Sequence, residues 1–121
     1  MNKIAFMFSR SPYGSSIGTE GLDTVISISS FTEDIALFFM GEGILQIKKQ
    51  QQPEKILLKN YSISFKILNL CNIRNFFVCS KSLDILGIKN YQKDDWVIPV
   101  KIMNYDSWKN KLNYYNIILN F

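Results

Sequence analysis

Two short, nearly continuous apolar runs constrain this chain more than anything else in it: Lys3-Ile4-Ala5-Phe6-Met7-Phe8 and Asp34-Ile35-Ala36-Leu37-Phe38-Phe39-Met40. Runs of this length without polar alternation read as strands buried on both faces, the signature of a parallel sheet with helices on each side. Between them, Leu22, Val25, Ile26 and Ser29 recur at i, i+3, i+4 and i+7. That spacing predicts a helix over 18–31, with Thr19 or Ser16 to cap it and Glu20 and Asp23 in the first turn, where the helix dipole favours carboxylates. Strand, helix and strand in so short a span make a βαβ unit, hence a right-handed crossover and a parallel pair.

The rest of the chain continues the alternation. Gln50 to Glu54, with Pro53, is a polar break that reads as a loop and not as a domain boundary. Residues 61–71 are ambiguous: Tyr61, Ile63, Phe65 and Ile67 alternate as in a half-buried strand, while Tyr61, Phe65 and Leu68 also fit a helical spacing. The alternation of units predicts a helix there, because the next strand, Asn75 to Cys79, follows so soon. Ser80 is then expected to cap a short helix carrying Leu83 and Leu86 and closed by Gly87. Trp96 to Val100 reads as a fourth strand, near an edge because of Pro99. Asp106 or Ser107 should cap a last helix with Trp108, Leu112 and Tyr115 on one face, and Ile117 to Phe121 makes a terminal strand. The expectation is an α/β fold: one domain over residues 1–121, a three-layer sandwich around a mostly parallel five-stranded sheet.

Composition narrows the chemistry. With 121 residues, 47% of them hydrophobic, the chain can bury roughly two-thirds of its unfolded surface and needs no disulfide or structural metal. It contains no His, which excludes Ser-His-Asp hydrolysis, Cys-His proteolysis and His-ligated zinc. Its two cysteines cannot form a four-thiolate site, and are expected to be reduced cytoplasmic thiols. The net charge of +4 comes almost wholly from Lys, with Arg only at Arg10 and Arg74. Arg is the residue suited to bidentate phosphate contacts, so direct nucleic-acid binding is not expected. The longest apolar stretch, Ile35 to Met40, is far too short to span a bilayer, and the strand-like opening is unlike a signal peptide.

Cys79 has the strongest chemical argument. It stands at the expected carboxyl end of a strand and just before a helix, where open parallel sheets bind ligands. A thiol there, near a helix amino terminus and Lys81, would be favoured as thiolate if accessible. It would equally serve as a small buried residue finishing a strand, as Cys71 would at a helix end. The loop Ser9 to Gly18 lies where nucleotide folds place phosphates, yet Gly14, Gly18 and Gly21 match neither the dinucleotide nor the P-loop pattern. A small nucleotide- or flavin-binding domain is therefore the remoter reading. The pairs Glu33/Asp34 and Asp94/Asp95 read as solvated turn residues with nothing gathered around them for Mg²⁺. Tyr13, Phe31, Tyr91, Trp96, Trp108, Tyr114 and Tyr115 exceed what a small sheet needs inside and suit a partly partner-facing surface, though a helix face of Trp108, Leu112 and Tyr115 is more often simply core.

Lys3-Ile4-Ala5-Phe6, Phe8-Ser9, Ser11-Pro12-Tyr13-Gly14, Gly18, Glu20-Gly21-Leu22-Asp23, Ala36 to Phe39, Phe65 to Leu68, Val78-Cys79, Ser82-Leu83, Gly87 and Ile118 to Phe121 together resemble the TusC, or DsrF-like, family along nearly the whole chain. The resemblance implies a DsrE/F/H-like fold and a helix at 61–71. It further implies a subunit of the TusBCD complex, a cytoplasmic sulfur relay that hands persulfide sulfur towards 2-thiolation of the tRNA wobble uridine. The implied partners are TusB- and TusD-like subunits in a dimer of heterotrimers, with transient contact to TusA- or TusE-like sulfur carriers. In that family the sulfur-carrying cysteine is attributed to the TusD subunit. Cys79 matches its position in the shared fold and stands as the candidate persulfide site; no catalytic residue, cofactor or metal is assigned.

Overall fold

The computed structural model describes residues 3–10, 17–32, 34–47, 67–88, 96 and 98–121. Five strands, β1 (Ile4–Phe8), β2 (Ile35–Phe39), β3 (Phe76–Cys79), β4 (Lys101–Met103) and β5 (Ile117–Asn120), form one sheet in the order β4-β3-β2-β1-β5. Every pairing in it is parallel. β1 and β2 run in register from Ile4 opposite Ile35 to Phe8 opposite Phe39, as expected of the two apolar runs.

Alternation along the strands builds two cores. Ile4, Phe6, Phe8, Ile35, Leu37, Phe39, Phe76 and Val78 share one, with Leu22 and Val25 of α1 (Ile17–Ile28), Ile44 of the 3₁₀ helix Gly41–Gln46, Leu68, and Leu83 of α2 (Ser80–Ile85). Ala5, Ala36, Phe38, Phe77 and Cys79 face the other way, against Trp108, Leu112 and Tyr115. Helices on both faces explain why the central strands read as unbroken apolar runs. Phe8 stacks on Phe39 and Phe121 at centroid distances of 5.3 and 5.7 Å. On the second face Phe38 takes Trp108 and Tyr115 edge-on at 5.6 and 5.7 Å. Each such buried ring contributes about 2 kcal/mol by area, before the geometric preference of aromatic pairs.

Four expectations are corrected. The fourth strand is Lys101–Met103, not Trp96 to Val100; Trp96 and Ile98 are buried in the first core, and Pro99, which has no N–H, ends the approach to a half-exposed edge strand. The last helix, α3 (Tyr105–Leu112), is capped by Asn104, whose side chain accepts from the Ser107 N–H at 2.9 Å. Its cap thus lies two residues before Asp106, because the Asn side chain reaches the third helical N–H. Third, Cys79 and not Ser80 is the N-cap of α2, and it makes no side-chain capping bond. That helix closes at Gly87 as expected, with φ +73° and the N–H groups of Gly87 and Ile88 donating to the carbonyls of Asp84 and Leu83, a Schellman ending. Residues 67–70 are helical, in line with a helix ending there; 61–66 lie outside the described residues. Thr19 is within α1 and so is not its cap, and Ser16 lies outside the described residues.

Candidate functional site

Because all five strands are parallel, they end on one side, and that carboxyl rim is where folds of this kind place ligands. The rim carries Ser9 after β1, Met40 and Gly41 after β2, Cys79 at the end of β3, Met103 at the end of β4 and Phe121 after β5. Two links hold it together. The Met40 N–H donates to the Phe8 carbonyl at 3.1 Å, and the Ser9 N–H to the Phe121 carbonyl at 2.9 Å. Gly41 has φ +51°, and its N–H donates to the Oγ of the buried Ser82 at 3.0 Å, which ties the end of β2 to α2.

Strand alternation sends the Cys79 side chain towards α3 and into the second core. Only 3% of the residue is exposed. The half-buried Met7, Met40 and Met103 pack against the same cluster, and Met103 stands opposite Cys79 in register. The thiol makes no capping hydrogen bond to α2. Lys81 has its Nζ 5.6 Å over the ring of Tyr105, a cation-π placement. Trp108, in the same cluster, has a buried Nε1 with no hydrogen-bond partner among the described residues. Thiol exchange requires an accessible sulfur. Here Cys79 is enclosed by aromatic and thioether side chains. Cys71, a free thiol like Cys79, is half-buried.

Of the other residues singled out in the sequence, Trp108 and Tyr115 share the second core with Cys79. Ser9 and Arg10 are described, Gly18 and Gly21 fall within α1, and the loop over 11–16 lies outside the described residues. Asp34 accepts a hydrogen bond from the Tyr114 hydroxyl at 3.2 Å, while Glu33, Asp94 and Asp95 are outside the described residues. Among the described residues no three His, Cys, Asp or Glu side chains gather as a metal site would need. Of the aromatics, Phe31 is 86% exposed and Tyr114 half-exposed, whereas Trp96, Trp108 and Tyr115 are buried. Tyr13 and Tyr91 are outside the described residues.

Sequence reasoning missed two clusters at the amino side of the sheet. In one, Lys3 Nζ lies 4.2 Å over the Tyr114 ring while Tyr114 bonds Asp34. Burial, then Asp34, then Tyr114 push the Tyr115 hydroxyl up to about 12. In the other, Arg74, Lys101 and Lys111 line one cleft. The scarcity of Arg was the available signal, since Arg74 is one of only two.

Among the described residues, no helix is long and apolar enough to cross a membrane. The model of the DsrE/DsrF-like family matches residues 2–121. The chain is 43% identical over 121 residues to Protein TusC of Buchnera aphidicola subsp. Schizaphis graminum, covering 100% of both chains. It is 45% identical, with the same full coverage, to Protein TusC of Buchnera aphidicola subsp. Baizongia pistaciae. The crystal structure of the ychN protein from E. coli superposes with a TM-score of 0.77 over 100% of both chains at 22% identity, a likeness of fold.

Proposed function

The chain belongs to the DsrE/DsrF-like family, and on that premise we propose that it is an accessory subunit of a cytoplasmic sulfur-relay complex of the TusBCD kind. In this reading it helps pass persulfide sulfur towards 2-thiolation of the tRNA wobble uridine, with TusB- and TusD-like subunits as partners in a dimer of heterotrimers. The observation that carries it is the end-to-end similarity to proteins named TusC. The enclosure of Cys79 supports an accessory role, because handing sulfur between proteins needs docking surfaces as much as a reactive thiolate.

A second reading has one observation in its favour: Cys79 ends β3 at the carboxyl rim, so a partner that opened the second core would reach a thiol already at the right end of the sheet. Native mass spectrometry of the chain co-expressed with TusB- and TusD-like subunits tests the assembly, and a heterohexamer is expected. A monomer or homodimer indifferent to those subunits would sink the proposal. With the complex in hand, Cys79→Ser should leave tRNA 2-thiolation largely intact while deletion of the chain abolishes it. Equal loss in both, with added sulfur found on Cys79 by mass spectrometry, would replace the accessory reading with the carrier one.

A further inference from the structure

At the end of the sheet opposite Cys79, between β3, β4 and α3, an open cleft of about 320 Å³ is lined by Arg74, Lys101 and Lys111 over Phe77, Pro99 and Val100. The three cations come from three separate places: the approach to β3, the first residue of the edge strand β4, and the last turn of α3. The two lysines each have a local reason to be basic, since Lys guards sheet edges and complements helix carboxyl ends. Neither reason accounts for their convergence with Arg74 on one cleft. No carboxylate of the described residues lines it, and all three side chains are exposed.

We propose that this cleft is a docking site for an acidic segment of a partner protein, its carboxylates met by Arg74, Lys101 and Lys111 and an apolar side chain seated against Pro99 and Val100. Charge complementarity selects an anionic occupant, and the apolar floor selects a peptide over a nucleic acid. A single-stranded nucleic acid would need an open aromatic face for stacking. Phe76 and Phe77, the rings at this cleft, are only 5% and 4% exposed, and Lys111 Nζ already stands 5.7 Å over Phe77. The inference does not rest on the sulfur-relay reading.

The test is fluorescence anisotropy on the full chain at low salt, with a labelled peptide of alternating Glu and Leu as probe. A Gln-for-Glu peptide and a single-stranded RNA of equal length serve as comparisons. Binding should prefer the Glu peptide, weaken as salt is raised, and fall about tenfold in Arg74→Glu/Lys101→Glu. Lys109→Gln, on α3 but outside the cleft, should bind as the parent does. Should the double reversal fold poorly, Arg74→Gln answers the same question with a smaller, few-fold loss. Equal affinity for the Gln peptide, tighter binding of the RNA, or cleft variants that bind like Lys109→Gln would each overturn the proposal.

Discussion

Tyr115 and Cys79 lie in the same apolar cluster, and burial there leads to one prediction about a titration, for Tyr115, and one about access to reagent, for Cys79. Tyr115 ionises at about 12 in the fold, raised first by burial and then by the charge of Asp34, against about 10 in an unfolded chain. Between those values the unfolded chain releases its phenolic proton before the folded one does, so unfolding gains as pH rises. The contribution of neutral Tyr115 is full below pH 10 and is lost as pH climbs through about 12. Denaturant midpoints of the parent and Tyr115→Phe across this window should converge, the parent falling more steeply; parallel curves would contradict the assignment. The thiols differ by exposure. Iodoacetamide should label the half-buried Cys71 well before Cys79 in the native protein and both together after unfolding, and faster labelling of Cys79 would show that the second core opens readily. The sequence could locate Cys79 at a strand end because position follows from the apolar run. It could not say which face the thiol takes, because that depends on a register shared with Met103, a residue outside the strand expected there.

At the level of elements, Gly43 and Gly41 sit two residues apart and answer to different constraints. A Cβ on Gly43 would overlap the Phe8 carbonyl, where the 3₁₀ helix crosses the end of β1. A Cβ on Gly41 would meet only the Ser9 carbonyl at 3.6 Å, but the residue holds φ +51°. Gly43→Ala is therefore expected to cost about 3 kcal/mol through displaced backbone, and Gly41→Ala about 1 kcal/mol through strain at positive φ. Urea denaturation of both variants checks the order, and a Gly41 effect larger than that of Gly43 would overturn it. The elements legible in the sequence are those whose apolar pattern is strong: β1, β2, β3, the buried faces of α1 and α3, and the Gly87 ending of α2. Those misread are set by contacts distant in sequence or by a single cap. β4 is half-exposed and three residues long, so it carries no apolar run, while buried Trp96 and Ile98 imitate one. Asn104 caps α3 from outside the Asp106-Ser107 pair because one side-chain oxygen reaches the Ser107 N–H, a choice that composition near a helix start does not make.

Across the whole molecule, the sheet order determines where stability resides. β1 and β2 are the longest strands, each hydrogen-bonded on both sides, and their residues reach 0% exposure on both faces, at Ala5, Phe6, Ala36, Leu37 and Phe38. β4 and β5 are the edges, with Lys101, Ile118 and Asn120 exposed. An amide of a central strand is freed only when that strand parts from a neighbour that is itself held on its other side, an opening that approaches global unfolding. An edge amide needs only local opening, whose free energy lies well below the global value. β1 pairs with β5, the last strand in sequence, so the central pair also depends on a contact between the two ends of the chain. Asn116 reinforces it by accepting from the Lys3 N–H at 2.8 Å. Native-state hydrogen exchange should therefore rank β1 and β2 as the slowest amides, β3 next, and β4 the fastest. Asn116→Ala should accelerate exchange in β5 more than in β2. Uniform exchange across the five strands, or a β4 as slow as β2, would mean that the sheet does not open from its sides and that the edge next to the basic cleft is as firmly held as the centre.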